Sequence, residues 1–424
     1  MVRRIVLLRA IRWGFGPISI LVLMARPNGL LAVFVGVSLA VWCTWAVLSA
    51  RAYVALWRDT PQRARWALFQ LTVAWPLVAR SVGLWTDGNS AAIKTIVANP
   101  SGLRVYLMLD KAASLAALEN HRQMLSRSLR LRSVELIGMV GNEVELRCIS
   151  RDLLESPIGE AFWEAASSDV SSGEIRVACD EFGMEYRMPI AHTLVCGVTG
   201  SGKGSVLWAV VRAFLPAQTI GHVEIWGIDP KHTELARARG ILAGVVACSA
   251  SEIADVLAQL VLRMRARQNS GFRTFVASGD NPWLVLIVDE FSSLALAATR
   301  EEQKVIDESL TAIMTQGRSV GVVVYGFVQQ PTKLAVGPWR GQFVVRIALR
   351  VESASDAELA LGEGSVSKGA SPHQIKRATA ADGYRTAGVG YAIDNSGAVA
   401  RIRFPYTADE QIERLMSGAT NGDR

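Results

Sequence analysis

Apolar residues form long uninterrupted stretches near the beginning of the chain. Leu30 to Ala50 reads LLAVFVGVSLAVWCTWAVLSA and contains no charged residue. A helix rises 1.5 Å per residue, so a segment of this length spans a hydrocarbon core of about 30 Å. Trp42 and Trp45 lie toward its far end, where indole rings favour the membrane interface. The pattern predicts a transmembrane helix over 30–50.

A shorter apolar stretch precedes this helix and leaves the number of crossings open. Residues 13–25 contain Pro17, and the turn-forming sequence Arg26-Pro27-Asn28-Gly29 follows. If residues 9–25 also cross, the two helices form a hairpin with both termini in the cytoplasm, in agreement with the positive-inside bias. A single crossing places the N-terminus outside. Pro76 and Arg80 interrupt the apolar residues 66–85, which predicts a membrane-skimming or packing helix there.

The next segment predicts a small α+β domain. Short β-like runs cover 103–108, 133–139 and 143–149, and a helical run covers 112–129. We expect a membrane anchor at 1–60, a juxtamembrane helix and linker at 61–99, and this domain at 100–174. It carries no candidate catalytic residue, so its expected role is that of a spacer or an oligomerisation module.

Residues 175–424 show a different pattern, in which apolar strand-like runs alternate with helical stretches. The runs cover 191–196, 222–228, 283–288, 321–328 and 343–350. This alternation predicts an α/β fold with a parallel, RecA-like sheet and helices on both faces. In such a sheet ligands bind at the carboxyl ends of the strands, which is where Asp229 and Lys231 are expected to lie.

The strongest chemical motif is AHTLVCGVTGSGKGS at 191–205, a strand followed by a glycine-rich loop and a helix. Inward-pointing backbone amides, a helix N-terminus and one lysine are what a phosphate chain requires. We therefore expect a P-loop that binds ATP, with Lys203 on the β and γ phosphates. The predicted nucleotide-binding residues are Gly197, Val198, Thr199, Gly200, Ser201, Gly202, Lys203, Gly204 and Ser205.

One position departs from the P-loop pattern. The residue after the lysine normally supplies a Ser or Thr hydroxyl to Mg²⁺, but here it is Gly204. Two interpretations remain open: Ser205 supplies the hydroxyl to the metal, or water takes its place. Ser205 is equally well explained as an ordinary residue of the first helical turn.

A second motif supports hydrolysis. The buried-strand run WLVLIV ends in Asp289-Glu290. A carboxylate at a strand end can hold Mg²⁺ and its neighbour can activate the attacking water, so we assign Asp289 to the metal and Glu290 to the general base. Gln329, at the end of another strand, is a candidate γ-phosphate sensor, and the alternative is a strand-end amide with a structural role.

Charge and cysteine content narrow the classes of function. The formal charge is +7, but the first 65 residues contain nine arginines and one acidic residue, so the rest of the chain is close to neutral. Basicity therefore indicates membrane orientation before it indicates a nucleic-acid surface. The group Arg263, Arg265, Arg267 and Arg273 could line a pore or form a solvated helix face. The five cysteines lack metal-ligand spacing.

Taken together, the motifs resemble the FtsK/SpoIIIE motor family. The resemblance covers roughly 175–395 and rests on HTLVCGVTGSGKGS, GIDPKHTEL, LVLIVDEFSSL, GRSVGVVVYGFVQQP and FVVRIALRV. It implies a RecA-like P-loop NTPase motor that hydrolyses ATP with Mg²⁺ between the subunits of a hexameric ring and moves double-stranded DNA. Arg318 matches the position of the family's arginine finger.

A weaker resemblance joins the chain to the transfer proteins of actinomycete conjugative plasmids and integrating elements. It implies a plasma-membrane protein with its motor domain in the cytoplasm, which acts in conjugation with accessory transfer proteins. Three alternatives remain: a protein-secretion ATPase of the type VII kind, a coupling ATPase for single-stranded DNA, and a scaffold that does not hydrolyse ATP because of Gly204.

Overall fold

The computed structural model describes residues 5–6, 47–82, 84, 91–109, 118–140, 142–164, 169–270, 275–294, 298–394 and 396–420. The chain divides into two compact units, Met1–Leu153 and Leu154–Arg424. Most of the predicted transmembrane helix 30–50, and all of the second candidate crossing at 9–25, lie outside the described residues. Among the helices that the described residues form, none combines the length and apolar character that a bilayer crossing requires.

The first unit contains a five-stranded antiparallel sheet with helices packed on it. Its helices are α1 over 47–59, α2 (Arg65–Val73), α3 (Trp75–Ser81) and α4 (Arg122–Ser128). Its strands are β1 (Ile5–Val6), β2 (Ala91–Asn99), β3 (Gly102–Leu109), β4 (Ser133–Val140) and β5 (Glu143–Ile149). The strand order is β1-β2-β3-β5-β4.

This sheet extends further upstream than the sequence pattern predicted. Strand β2 falls in the segment expected to be a linker, and Ile5 of β1, in the segment expected to be an anchor, pairs with Ile96. Helices α2 and α3 pack on the sheet through Leu68, Leu71 and Trp75, whose indole donates to the carbonyl of Ala91 at 2.6 Å. The amphipathic residues 66–81 are therefore packing helices, and they leave several apolar side chains exposed on the other side.

The second unit contains ten strands and most of the helices. The strands are β6 (Glu174–Asp180), β7 (Glu185–Pro189), β8 (Thr193–Cys196), β9 (Val223–Ile228), β10 (Val246–Ala247), β11 (Trp283–Val288), β12 (Val322–Val328), β13 (Val345–Ala348), β14 (Val389–Ile393) and β15 (Val399–Arg403). The helices are α5 (Ala161–Glu164), α6 (Lys203–Thr219), α7 (Ala250–Asn269), α8 (Arg300–Gln316), α9 (Lys333–Val336), α10 (Ala354–Leu361) and α11 (Asp409–Thr420).

The strand order is β10-β9-β11-β12-β8-β13-β14-β15-β6-β7. The first six strands in this order are mutually parallel, which confirms the predicted parallel sheet. The last four extend it with antiparallel pairings that the sequence analysis did not predict. Strand β12 lies between β8 and β11, so the ends of these three strands are adjacent.

Both faces of the parallel strands are buried, because helices cover each of them. Alternate residues of β11 point to opposite faces: Ile287 joins the apolar core under α6, and Leu286 joins the core under α7 and α8. Helices α7 and α8 begin with capping boxes at Ser249 and Thr299, where the cap hydroxyl and a glutamate satisfy free backbone amides. This packing fixes the carboxyl ends of the strands as a rigid edge.

Candidate active site

The loop after β8 has the conformation that a phosphate-binding loop requires. Gly200 and Gly202 have φ angles of +77° and +96°, a region that L-residues rarely adopt. A Cβ at Gly202 would lie 2.2 Å from the backbone nitrogen of Gly388, so only glycine fits. Helix α6 begins directly after it at Lys203, and its free N-terminal amides face the loop.

Lys203 lies inside this loop. Its Nζ donates to the carbonyl of Gly197 at 2.7 Å. Burial lowers the pKa of Lys203, and the nearby carboxylates of Glu290 and Asp289 oppose that shift. The ammonium is thus held between the loop and the acidic pair, where a phosphate chain bound in the loop would meet it.

The two residues after the lysine face different neighbours. A Cβ built on Gly204 would lie 2.9 Å from Oε1 of Glu234. Ser205 is buried, and its Oγ lies 3.7 Å from a Cβ built on Gly388, on the side of β14. Glu234, and not Ser205, therefore lies on the side of the helix where a side chain at position 204 would point.

Asp289 and Glu290 follow β11 at the same edge of the sheet. Burial raises the pKa of Asp289 to about 6, and the negative charges of Asp229, Glu234 and Glu290 add to the shift. Thr233 donates to Asp289 Oδ2 at 3.1 Å. The predicted metal ligand is thus crowded by carboxylates, an environment that a divalent cation would stabilise.

Glu290 is held in an unusual backbone conformation, with φ +68° and ψ 75°. A non-glycine residue there is strained, and such strain is common at functional sites. Oε2 accepts from Lys231 at 3.0 Å and Oε1 from Ser292 at 2.5 Å. Burial alone would raise the pKa of Glu290, but these two hydrogen bonds and the charge of Lys231 lower it overall. Glu290 is therefore ionised and oriented, as a general base must be.

The segment after β9 is organised by Asp229, which is fully buried. Its carboxylate accepts hydrogen bonds from the backbone amides of Thr233, Glu234 and Ala236, at 3.2, 3.1 and 3.0 Å. Asp229 thus shapes the loop that presents Lys231 and Glu234 to the site. As expected from the sequence, the residues after β9 lie next to the acidic pair that follows β11.

Gln329 follows β12, between the P-loop and the acidic pair. Thr199 donates to Gln329 Oε1 at 3.4 Å, a long hydrogen bond that joins the P-loop to this strand end. Gln329 also lines an open cleft of about 470 Å³, together with Lys231, Glu290 and Ser292. Its place beside both motifs suits a sensor of the terminal phosphate, and that role stays a prediction.

Arg318 does not join this group. It lies in the turn Gly317–Val320 at the amino end of β12, whereas the P-loop meets the carboxyl end, where the amide of Gly197 donates to Val328. The seven residues of β12 separate the two ends by about 20 Å. The positive charge of Arg318 instead acts on His192, whose buried ring precedes β8. Within one chain, Arg318 cannot reach the P-loop.

Two of the three arginines of α7 make structural contacts, and the third, Arg265, is exposed. Arg263 binds both carboxylate oxygens of Glu224. Arg267 donates to the carbonyl oxygens of Val320, Gly321 and Pro282. Arg273 lies outside the described residues. The sequence left open a pore lining or a solvated helix face, and the contacts of Arg263 and Arg267 correspond to neither, because both side chains are part-buried and bound within the fold.

The donor set fits ATP with Mg²⁺. Among the residues that the structure describes, no three His, Cys, Asp or Glu side chains are arranged as a protein-only metal site. Mg²⁺ commonly uses one or two carboxylates together with substrate phosphates, and Asp289 beside the P-loop meets that requirement. Sequence reasoning did not single out Glu234. The sequence offered one signal for such a residue: Gly204 has no hydroxyl, so another side chain oxygen could take its place.

This chain is similar in sequence to known P-loop motor proteins. Residues 166–281 match the FtsK/SpoIIIE family model. DNA translocase FtsK of Oceanobacillus iheyensis is 26% identical over an alignment covering 43% of this chain and 25% of that protein. DNA translocase SpoIIIE of Bacillus subtilis is 26% identical, with 66% of this chain and 39% of that protein covered. This chain thus spans about a quarter to two fifths of their lengths.

A solved structure shows the same fold. The pCW3 conjugation coupling protein TcpA, in monomer form with ATPγS, aligns with a TM-score of 0.51 and 14% identity, covering 82% of this chain and 99% of that one. The resemblance to the FtsK/SpoIIIE family that was inferred from the motifs is confirmed: residues 166–281 match the family model, and the chain is similar in sequence to the DNA translocases FtsK and SpoIIIE.

Proposed function

We propose that this chain is a membrane-anchored, ATP-driven translocase of double-stranded DNA that works as a hexameric ring. The observation that carries the proposal is the division of the catalytic groups between two ends of the sheet. Lys203, Asp289 and Glu290 meet at the carboxyl edge, and Arg318 lies at the amino edge. A site that needs the arginine is complete only when a neighbouring subunit supplies it.

The proposed mechanism follows from the residues present. Backbone amides of 197–203 and Lys203 bind the phosphates of ATP, and Asp289 would hold Mg²⁺, which when bound would supply positive charge beside the phosphates. Glu290, fixed by Lys231 and Ser292, accepts the proton of the attacking water. Gln329 contacts the terminal phosphate and transmits its loss to the P-loop through Thr199.

Double-stranded DNA is the proposed substrate because the related proteins FtsK and SpoIIIE are named DNA translocases. The proposed location at the cytoplasmic face of the plasma membrane is supported by the apolar residues 30–50 and the arginines that flank them. A role in conjugative transfer, with accessory transfer proteins, rests on the subgroup resemblance of the motifs.

The test is ATP turnover by the purified full chain, with no polymer, with duplex DNA, with single-stranded DNA, and with an unfolded polypeptide. We expect duplex DNA to stimulate ATP turnover strongly, and single-stranded DNA and polypeptide not to. Glu290→Gln should abolish this turnover while ATP binding is kept. Preferential stimulation by single strands indicates a coupling ATPase, and stimulation by polypeptide indicates a secretion motor. Absence of turnover under all conditions contradicts the proposal and supports a scaffold.

Assembly and location are tested separately. Mass photometry with a non-hydrolysable ATP analogue and duplex DNA is expected to show a six-subunit species, and a persistent monomer contradicts the ring. Fractionation of cells that produce the full chain is expected to recover it with the membranes. Its extraction by detergent, but not by high salt, distinguishes a spanning helix from surface adsorption.

A further inference from the structure

The first turn of α6 has a gap where P-loop enzymes normally carry a hydroxyl. Gly204 follows Lys203 at the position of the Mg²⁺-binding Ser or Thr. A Cβ at this glycine would lie 2.9 Å from Glu234 Oε1 and 3.4 Å from its carboxyl carbon. The carboxylate of Glu234 therefore fills the space that a serine or threonine side chain would enter.

Glu234 is held in this place from two sides. Its backbone amide donates to Oδ2 of the buried Asp229 at 3.1 Å, which fixes the loop. Its Oε2 accepts from Nε1 of Trp208, one turn further along α6, at 3.0 Å. Oε1 is left facing Gly204 at the start of the helix. A side chain positioned by two independent contacts is preorganised in the way that metal ligands usually are.

The same loop also reaches the predicted metal ligand Asp289. Thr233, the residue before Glu234, donates to Asp289 Oδ2 at 3.1 Å. The two carboxylates therefore approach the P-loop helix from neighbouring strand ends. Four acids and two lysines lie around this loop and the acidic pair: Asp229, Glu234, Asp289, Glu290, Lys203 and Lys231. This excess of negative charge favours a cation.

We propose that Glu234 supplies the Mg²⁺ ligand that Gly204 lacks, so that a carboxylate from the segment after β9 replaces the P-loop hydroxyl. The inference rests on the proposed ATPase function and deepens it. It also accounts for the glycine: a side chain at 204 would begin 2.9 Å from Oε1 of Glu234, so the carboxylate would have to leave its present place to make room for it. Ser205 then has no metal to bind, because its hydroxyl lies toward Gly388.

The first experiment measures the affinity of the full chain for a fluorescent non-hydrolysable ATP analogue, with Mg²⁺ and with EDTA. In Glu234→Gln, one amide oxygen can still accept from Trp208, while the amino group toward Gly204 cannot bind a metal. The expected result is a loss of the Mg²⁺-dependent gain in affinity by roughly ten- to a hundredfold, with unchanged affinity in EDTA. Depletion of the free Mn²⁺ EPR signal by protein and analogue reports the same loss directly.

The second experiment separates a metal ligand from a structural residue. Glu234→Ala removes the carboxylate, and adding Gly204→Ser to it restores a hydroxyl in the vacated space. The double variant is expected to recover most of the Mg²⁺-dependent affinity that Glu234→Ala loses. A residue that only supports Trp208 would not be rescued by a serine at 204. Trp208→Phe serves as the control for that contact: it removes the hydrogen bond but keeps the carboxylate, so it is expected to weaken Mn²⁺ binding less than Glu234→Ala does.

Two results would overturn the inference: a Mg²⁺ effect in Glu234→Gln equal to wild type, or no recovery in the double variant. Failure of the proposed function looks different, because the wild-type chain would then bind no nucleotide or would show no Mg²⁺ dependence at all.

Discussion

Lys231 Nζ lies 3.0 Å from Glu290 Oε2, and this ion pair joins the ends of two adjacent parallel strands, β9 and β11. The glutamate side chain is 7% exposed and the lysine 43%, so the carboxylate is the buried partner. A buried carboxylate is costly unless it is paired, and the lysine therefore helps to keep the buried Glu290 ionised.

Lys231→Met is expected to raise the pKa of Glu290, because it removes one hydrogen bond and one positive charge that lower that pKa, while burial remains. The acidic limb of the pH profile of kcat/KM should move to higher pH, since the base must be deprotonated. Lys304→Met is the matched control, because Lys304 forms only an exposed pair with Glu308. An unshifted acidic limb in Lys231→Met would contradict this role.

Replacing Glu290 tests the cost of its backbone conformation. Glycine adopts φ +68° without strain and alanine does not, so Glu290→Gly should be more stable than Glu290→Ala by about 1 kcal/mol. Both variants should lose ATP turnover. Urea unfolding of the two variants gives the difference, and equal stabilities would show that the site holds no backbone strain.

His192 predicts a loss of stability in mild acid. Burial, with a contribution from Arg318, lowers its pKa from 6.5 to about 4. The unfolded chain therefore takes up a proton before the folded one does, so stability is full above pH 7 and falls as the pH drops from about 6.5 toward 4. The loss is about 2 kcal/mol at pH 5.

The check compares wild type with His192→Gln in urea unfolding at pH 7.5 and pH 5. Glutamine offers an oxygen to the amide of Val324, which now donates to Nδ1 of His192 at 3.1 Å. The stability difference between the two proteins should change by about 2 kcal/mol between these pH values. A constant difference would show that His192 does not titrate in this range.

Arg318→Ala should lower ATP turnover by about a thousandfold or more if the arginine acts across a subunit interface. Mixing it with Glu290→Gln provides the sharper test. Each variant is inactive alone, but an Arg318→Ala subunit keeps Glu290 and can receive Arg318 from its Glu290→Gln neighbour. With random mixing in equal amounts, about a quarter of the interfaces are intact. Recovered turnover in the mixture supports action in trans, and its absence contradicts it.

Ser205→Ala should leave ATP turnover within about threefold of wild type, because the hydroxyl faces Gly388 and contributes no ligand to the nucleotide. Lys203→Ala, two residues earlier in the same helix, should abolish nucleotide binding. A large defect in Ser205→Ala that appears only with Mg²⁺ present would restore Ser205 as the metal ligand.

Short sequence patterns were enough to predict much of the fold. The P-loop sequence, the apolar run before Asp289 and the alternation of strands and helices were sufficient to predict the motor fold, because each depends on residues close together in the chain. The strands at 133–140 and 143–149 followed from alternation in the same way. The pairing of β1 with β2 did not, because it joins residues about ninety positions apart.

The sequence by itself determined that the chain has a phosphate-binding loop, an acid-ended strand and an anomalous glycine at 204. Only the tertiary structure decided what compensates for that glycine. Glu234 is thirty residues away along the chain, and it reaches α6 because β8 and β9 are parallel strands whose carboxyl ends share one edge of the sheet. The fold likewise places Arg318 at the opposite edge, since a residue before a strand and a residue after it are separated by the strand's full length.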